Sequence, residues 1–195
     1  VGYLGSLEAV KAAGEIIDRL LAPGGVAIVD PAMADNGKLY SGFDEDYVRA
    51  IGSLAGKADI ILPNVTEAAI LSGLPYQENI DKHYVNQLLN GLNHPCAVLT
   101  GVDFDEDSTG IVLQEGTVQH EYRHKRIGTG CHGTGDIFAA VFTGALMQGK
   151  NRLDAAKIAA DFTCRCIENT VNAPAHWYGV KFEPLLPELM EMLGQ

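Results

Sequence analysis

The stretch GTGCHGTGDIFAA, residues 128–140, joins a glycine-rich loop directly to a predicted helix. Glycines let backbone N–H groups turn inward around an anion, and a helix N-terminus adds unpaired N–H donors and the positive end of a dipole. Residues 128–136, the glycine loop, therefore predict a phosphate-binding site. Asp136 lies where the loop meets the helix, and there its carboxylate could accept a proton from a hydroxyl that attacks a phosphoryl group.

Two other nucleotide-binding patterns resemble this loop, and its surroundings argue against both. Gly128, Gly130 and Gly133 fit the dinucleotide pattern G-x-G-x-x-G, but that pattern needs a preceding strand and a later strand with an acidic residue. Here the following helix leads into more helix. The Walker pattern needs a lysine where Thr134 stands. A glycine loop that ends in Asp is also an ordinary helix start, so its function depends on what accompanies it.

Length, composition and charge narrow the class of protein. The 195 residues are 47% hydrophobic, which predicts one domain over residues 1–195 with one substantial core. A net charge of −11 argues against a nucleic-acid partner. No apolar run is long enough for a membrane span, and no N-terminal stretch looks like a signal peptide. Four cysteines without a C-x-x-C pair indicate reduced thiols, so we expect a cytoplasmic protein without a membrane partner.

Hydrophobic periodicity predicts an α/β fold with a parallel sheet covered on both faces. The first predicted helix spans residues 7–21, with Ser6 as its cap, and its buried face carries Val10, Ala13, Ile16, Ile17 and Leu20. Further helices are predicted at residues 44–54, 80–92, 136–148, 152–170 and from about 184, and a short one carries Glu67 and ends near Gly73. The predicted strands span residues 26–30, 59–62 and 97–100, with an edge hairpin at 110–114 and 117–122 and a polar loop at 35–37.

Polar residues follow three of the predicted strands. Asp30 ends the first strand, Asn64 and Glu67 follow the second, and Thr100 ends the third. Ligands of open α/β sheets bind beyond the carboxyl ends of the strands. The sequence therefore predicts that these residues gather at one edge of the sheet, where the glycine loop could also dock.

Five segments together resemble the pyridoxal kinases of the ribokinase-like superfamily. They are residues 2–6 (GYLGS), 29–35 (VDPAMAD, followed by Gly37 and Tyr40), 62–68 (LPNVTEA), 132–140 (HGTGDIFAA) and 178–183 (YGVKFE). The resemblance spans nearly the whole chain. It implies a ribokinase-like fold and ATP-dependent phosphorylation of the 5′-hydroxymethyl group of pyridoxal, pyridoxine or pyridoxamine, in a homodimer.

The resemblance also implies roles for individual residues. Asp136 would be the base on the substrate hydroxyl, and the N–H groups of Gly133, Thr134 and Gly135 would form the anion hole. Asn64, Glu67 and Asp35 would hold Mg²⁺, directly or through water. Tyr3 would face the pyridine ring. The residues implied along ATP are Asp30, Leu62 (where many relatives have threonine), Glu67, Thr100, Glu121, Tyr122, Arg123 and His124.

The start of the chain departs from the family pattern. Pyridoxal kinases normally have a strand, a substrate-binding serine and a lid segment ahead of the GYLGS turn, and this chain begins inside that turn. We therefore expect a sheet that lacks its first strands. Two alternatives follow: a hydroxymethylpyrimidine (phosphate) kinase, which the shared motifs do not separate from a vitamin B6 kinase, and a nucleotide-binding remnant that transfers no phosphate.

Two of the candidate groups have a purely structural interpretation as well. Asn64 and Glu67 have the spacing of a helix cap and its third-position partner. Arg123 and His124 begin a charged run, residues 123–126, which is typical of the solvated edge of a sheet.

Overall fold

A computed structural model of the chain describes residues 1–128, 131–171 and 179–195. These residues divide into two compact units. The first contains Val1–Phe104 and Ile111–Glu121, and the second contains Asp105–Gly110 and Tyr122–Gln195. The single domain expected from the sequence stays a prediction.

The secondary structure alternates between helices and strands in the first half and becomes helical towards the C-terminus. The elements are α1 (Leu7–Leu20), β1 (Ile28–Val29), β2 (Ala34–Asp35), β3 (Lys38–Leu39), α2 (Glu45–Ala55), β4 (Ile60–Ile61), α3 (Val65–Ser72), α4 (Lys82–Leu92), β5 (Cys96–Asp103), β6 (Ser108–Glu115), β7 (Val118–Lys125), α5 (Thr134–Met147), α6 (Arg152–Val171), a 3-10 turn (Glu183–Leu185) and α7 (Leu186–Leu193).

The main sheet is mixed, and its strands hydrogen bond in the order β1-β4-β5-β6-β7. β1 pairs with β4 in parallel, and β4 pairs with β5 in parallel. Only Gly116 and Thr117 separate β6 from β7, and so short a connection joins antiparallel strands. The predicted α/β class, with parallel strands and an edge hairpin, is confirmed.

Side-chain caps mark the starts of four helices, of which α1, α2 and α4 begin within two residues of the predicted start. Ser6, Asp44, Asn64 and Asp81 have extended backbones, and each side chain accepts a hydrogen bond from the N–H three residues later. Such a cap satisfies one of the donors that a helix N-terminus leaves without a partner. The apolar faces of these helices then build the core of the first unit, which includes Tyr47, Ile51, Leu88 and Leu99.

The structure corrects the predicted buried face of α1. Val10 is buried, but Ile16 is 57% exposed and Leu20 is 74% exposed. Helical spacing places Ile16 and Leu20 on one stripe, four residues apart, and this stripe lies outside the core of the first unit. Periodicity alone did not reveal that only part of the apolar stripe has a packing partner.

Residues 34–39 form a small antiparallel hairpin, β2–β3, where the sequence predicts a polar loop. Asn36 and Gly37 occupy the turn with φ values of 49° and 74°. Asn-Gly is the residue pair that favours a two-residue turn of this kind, so the local signal was present. The strands β1 and β4 are in turn shorter than predicted, with two residues each.

In the second unit, α5 packs against α6. Phe142 of α5 and Phe162, Ala156 and Ala159 of α6 are among its fully buried residues. Small alanine side chains allow the two helix axes to approach closely. Within the described ranges, no helix combines the length and the apolar character needed to cross a membrane.

Candidate active site

The N-terminus of α3 is closed by a capping box made of Asn64 and Glu67. Asn64 Oδ1 accepts the Glu67 N–H at 2.9 Å, and Glu67 Oε2 accepts the Asn64 N–H at 2.9 Å. The structural interpretation of these two residues is thus confirmed. It does not exclude a role at phosphate, because a carboxylate has about four lone-pair positions for hydrogen bonds or a metal ion.

Glu67 also reaches a segment far away in the sequence. Its Oε1 accepts the N–H of Met33 at 3.0 Å and that of Ala34 at 3.5 Å. The side chain of Asn64 donates to the Ala34 carbonyl at 2.8 Å. The capping box therefore fixes the start of the β2–β3 hairpin as well as the start of α3. Met33 and Ala34 contribute only backbone groups here; they lie in the segment 29–35, but the sequence predicted no role for either.

The Glu67 carboxyl is only 2% exposed, and this burial has an electrostatic consequence. Burial, and next the neighbouring Asp30 carboxylate, raises the pKa of Glu67 to about 8. The hydrogen bonds from the backbone N–H groups of Asn64, Met33 and Ala34 lower the pKa of Glu67, but by less than burial and Asp30 raise it. Since Asp30 is also buried, two carboxyl groups share a region that water hardly reaches. A cation bound there would favour the ionised form of both.

The hairpin that carries Asp35 is held by two further contacts. Thr66 is buried on α3, and its Oγ1 accepts the Gly37 N–H at 3.0 Å. The ring of Tyr76 lies against Gly37, where a Cβ atom would come within 2.7 Å of ring carbon Cδ1. Asp35 itself is exposed, and its two carboxylate oxygens accept hydrogen bonds from the backbone and side chain of Asn36.

The donor set in this region contains oxygen ligands of the kind that Mg²⁺ binds. The described part of the chain contains no group of three or more His, Cys, Asp or Glu side chains that could hold a metal ion. Mg²⁺ keeps several water ligands and binds through one or two carboxylates together with substrate phosphates. Asp30 and Glu67 supply two oxygen-bearing groups of that kind.

The strand ends gather as the sequence predicts. Asn64 forms a parallel bridge with Thr100, and the Thr100 N–H donates to the Pro63 carbonyl at 2.9 Å. Leu62 is buried after β4, and its N–H donates to the Val29 carbonyl at 3.0 Å. The three parallel strands therefore end side by side, because their pairing holds the residues that follow them in register.

In the second unit, the glycine loop leads into an open helix N-terminus. Gly133 is the N-cap of α5 with φ 84°, in the left-handed region that glycine tolerates. The first hydrogen bond of the helix runs from the Ile137 N–H to the Gly133 carbonyl at 3.1 Å. The N–H groups of Thr134, Gly135 and Asp136 precede this ladder, as at any helix start. Thr129 and Gly130 of the loop lie outside the described residues.

Asp136 is the third residue of α5, and its side chain is exposed. No described residue donates a hydrogen bond to its carboxylate. An unshielded carboxylate beside three backbone donors is an arrangement in which a bound phosphoryl group would lie close to a proton acceptor. Gly133, Thr134, Gly135 and Asp136, the residues predicted as anion hole and base, therefore lie together at the start of one helix, and their roles stay predictions.

A family model described as phosphomethylpyrimidine kinase matches residues 1–180. The chain belongs to this family. Among curated relatives, the hydroxymethylpyrimidine/phosphomethylpyrimidine kinase of Bacillus subtilis is 30% identical over 146 residues. The match covers 74% of this chain, and the chain spans 54% of the length of that relative.

Solved structures support the same fold. The pyridoxal kinase of Lactobacillus plantarum superposes with a TM-score of 0.85 at 30% identity, over 98% of this chain and 69% of that one. A pyridoxal kinase of Staphylococcus aureus, solved in complex with ADP, gives a TM-score of 0.74 at 25% identity, over 86% of this chain and 61% of that one. The predicted resemblance to pyridoxal kinases and the ribokinase-like fold are confirmed.

Tyr3 of this phosphomethylpyrimidine kinase family member lies in a row of aromatic rings in the first unit. Tyr3 is 58% exposed, and its ring centroid is 5.7 Å from that of Phe43. Phe43 stacks on Tyr47 at 3.7 Å, and Tyr40 lies 6.4 Å from Phe43 on another side. Phe43 precedes the Asp44 cap and lies outside α2, so helical spacing gave no signal for its contact with Tyr47.

The four residues predicted along the nucleotide on β7 do not share a face. Tyr122 and His124 are half-buried, whereas Glu121 and Arg123 are exposed. Side chains of a strand alternate between its two faces, so residues 121–124 divide into two pairs. Glu121 forms an ion pair with Lys82 of α4 at 3.0 Å.

Tyr122 and His124 contact α6. The Tyr122 hydroxyl donates to Asp161 at 2.7 Å, and His124 Nδ1 lies 2.9 Å from the Cys164 sulfur. Burial, and next the hydrogen bond to Asp161, raises the pKa of Tyr122 to about 12. These contacts tie β7 to α6 and give both side chains a structural role. A contact with nucleotide stays a prediction for all four residues.

Proposed function

We propose that the chain carries out ATP-dependent phosphorylation of a hydroxymethyl group on a vitamin B6 compound: pyridoxal, pyridoxine or pyridoxamine. The observation that carries this proposal is the N-terminus of α5, where the exposed Asp136 carboxylate lies beside first-turn N–H groups that no side chain of the described residues caps. Family membership supports a phosphotransferase, and the ADP complex of the Staphylococcus aureus relative supports ATP as the phosphate donor.

The residues of α5 would act on the phosphoryl group and on the hydroxyl. Asp136 accepts the hydroxyl proton as the oxygen attacks the γ-phosphorus, the new P–O bond forms and ADP leaves. The N–H groups of Gly133, Thr134 and Gly135 donate to the phosphoryl oxygens, where negative charge must be stabilised. Gly133 is the N-cap of α5, and Thr134 and Gly135 are its first two residues, so these donors lie together before the reaction begins.

The first unit would supply the metal side of the reaction. Asp30, Asp35, Asn64 and Glu67 are the residues that would hold Mg²⁺, directly or through water. When bound, the ion neutralises charge on the phosphate oxygens. Leu62, Thr100 and residues 121–124 remain proposed contacts of the nucleotide.

The vitamin B6 ring is proposed to bind against Tyr3. A flat heterocycle stacks on an aromatic face, and Tyr3 exposes one beside Phe43. The motifs that favour this substrate over a pyrimidine are residues 2–6 and 35–40, together with the likeness to the Lactobacillus plantarum pyridoxal kinase. The resemblance also leads us to propose a homodimer in the cytoplasm. Light scattering, which measures the mass in solution, would test the dimer.

The Bacillus subtilis relative favours a second candidate, hydroxymethylpyrimidine phosphorylation, with the same base and anion hole. A coupled assay of ADP formation with pyridoxal, pyridoxine, pyridoxamine and hydroxymethylpyrimidine, with and without Mg²⁺, separates the two. The intact mass of the purified chain is measured alongside it.

We expect ADP formation that depends on a B6 compound, with the phosphate found on its 5′-oxygen by ³¹P NMR. Faster turnover of the pyrimidine would favour the second candidate. A chain of the expected mass that binds ADP but phosphorylates none of these compounds would contradict both proposals and would identify a nucleotide-binding remnant.

A further inference from the structure

Residues 179–182, here called the C-terminal strap, contact the glycine loop in the second unit. The Val180 N–H donates to the His132 carbonyl at 3.1 Å. Val180 is buried, and a Cβ atom on Gly133 would lie 3.7 Å from its Cγ2. Gly179 passes close to the same carbonyl, with its own Cβ position 3.6 Å from the His132 oxygen. The strap thus contacts the residue on which α5 begins.

The other side of the strap is fixed to the end of α6. Thr170 Oγ1 accepts the Lys181 N–H at 2.8 Å and donates to the Cys166 carbonyl at 2.6 Å. Asn169 Nδ2 donates to the Lys181 carbonyl at 2.8 Å. Both backbone polar groups of Lys181 are therefore held by neighbouring residues of α6. These two side chains therefore fix the position of Lys181 against α6.

The loop needs an external support of this kind. Gly133 adopts φ 84°, and glycine loses more conformational freedom on ordering than any other residue. The N-cap of α5 is a glycine, so no side chain caps this helix. Hydrogen-bond donors stabilise developing charge only if they already point at it. The contact between Val180 and His132 supports the Gly133 turn from outside the helix.

We infer that Asn169 and Thr170 are positioning residues for the phosphate-binding loop, acting through the strap. They hold Lys181, the strap holds the His132 carbonyl, and the Gly133 turn then directs the N–H groups of residues 134–136. This inference rests on the proposed function only for the identity of the bound group. The effect of the strap on the start of α5 does not depend on that identity and is measured without ligand.

The first experiment measures amide hydrogen exchange by NMR in the Thr170→Val variant. Valine keeps the shape of threonine but removes the acceptor of the Lys181 N–H. We expect the Val180 and Ile137 amides, whose acceptors are His132 and Gly133, to exchange about tenfold faster. The Ala155 amide at the other end of α6 should not change. Thr170→Ser keeps the hydroxyl and should restore the slow exchange.

Thr143→Val is the matched control. Thr143 Oγ1 donates to the Ala139 carbonyl at 2.8 Å, which is the same bond within a helix that Thr170 makes to Cys166. Among the described residues, the Thr143 side chain makes no hydrogen bond to the strap. Accelerated exchange in Thr170→Val but not in Thr143→Val supports the inference. Unchanged exchange of Val180 and Ile137 in a folded Thr170→Val chain overturns it.

The second experiment measures ADP affinity by calorimetry in the same variants. We expect Thr170→Val to weaken ADP binding about tenfold while Thr143→Val and Thr170→Ser bind as the unchanged chain does. Faster exchange with unchanged ADP affinity would overturn the positioning role. If the unchanged chain does not bind ADP, the proposed function fails, and the exchange measurement still decides whether Thr170 orders the start of α5.

Discussion

The helices α3 and α5 begin in opposite ways. At α3, Asn64 and Glu67 satisfy each other's backbone N–H groups, and Glu67 also accepts two N–H groups from the β2–β3 hairpin. At α5, the N-cap is a glycine without a side-chain cap, and the first-turn carboxylate is exposed. One helix start is closed by the protein itself, whereas the other is open to a ligand. The same backbone chemistry therefore serves the fold in α3 and, as we propose, phosphate in α5.

The largest expected effect is the loss of turnover when the Asp136 carboxylate is replaced, compared with the same substitution at another first-turn carboxylate. Asp136→Asn should lower turnover about 10²–10⁴-fold, because the amide does not accept the hydroxyl proton. ADP affinity should change by less than about twofold, since the backbone donors remain. Steady-state kinetics and calorimetry measure the two quantities.

Asp154 provides the control for this prediction. It occupies the first turn of α6, three residues after Asn151, whose Oδ1 accepts its N–H at 2.9 Å. Asp154→Asn should leave turnover unchanged. A similar loss in both variants, or turnover of Asp136→Asn within a few fold of the unchanged chain, would show that the carboxylate at α5 has no catalytic role.

Substitution in the capping box of α3 should instead lower the free energy of unfolding. Glu67→Ala leaves the N–H groups of Met33, Ala34 and Asn64 without their acceptor, and we expect a loss of about 3 kcal/mol in the free energy of unfolding. Urea denaturation measures it. Glu188, an exposed residue of the first turn of α7, is the control, and Glu188→Ala should unfold at the same urea concentration as the unchanged chain. Equal effects of the two substitutions would mean that the capping box does not stabilise the fold.

The raised pKa of Glu67 also predicts a pH dependence of stability. Its folded pKa of about 8 lies above the ordinary 4.5, so between these pH values the folded state binds more protons than the unfolded state. The free energy of unfolding should therefore fall as pH rises through this window, by up to about 1.4 kcal/mol per pH unit, and level off above it. Glu67→Gln should remove this slope and lower the free energy of unfolding by the same amount at every pH. Parallel pH profiles for the two chains would contradict the raised pKa.

The smallest effect compares two glycines of the second unit. Gly133→Ala places a side chain at φ 84°, which costs about 1–2 kcal/mol. Gly144 lies inside α5 with open space around its Cβ position, so Gly144→Ala should stabilise the chain by about 0.5–1 kcal/mol. Thermal unfolding of the two variants measures these opposite shifts. A stabilising Gly133→Ala would show that the loop does not need its left-handed turn.

Local signals explain which parts of the structure could be predicted. The caps at Ser6, Asp44, Asn64 and Asp81 are short-range features, and the helices they begin were found at nearly the observed bounds. The alternation of strands and helices predicted parallel strands, and the pairing of β1, β4 and β5 confirms them. Failures came where tertiary packing decides: part of the α1 stripe is exposed, and β1 and β4 are shorter than their apolar runs.

The candidate site shows the same division. The spacing of Asn64 and Glu67 already indicated a capping box, and the glycine loop indicated an open helix start. The contacts of Glu67 with Met33 and Ala34 join segments 34 and 33 residues apart, which no local pattern encodes. Face alternation on β7 was readable from the sequence, yet the resemblance alone suggested that residues 121–124 act together.

The contact between Met33 and Glu67 also orders the events of folding. Closing a loop of 34 residues costs about 3 kcal/mol in chain entropy, more than a hydrogen bond or two returns. Pairing of β1 with β4 brings Val29 opposite Ile61 and closes most of that loop beforehand. The β2–β3 hairpin therefore docks late, after the sheet and α3 exist, and substitutions at Glu67 should speed unfolding while leaving the folding rate nearly unchanged.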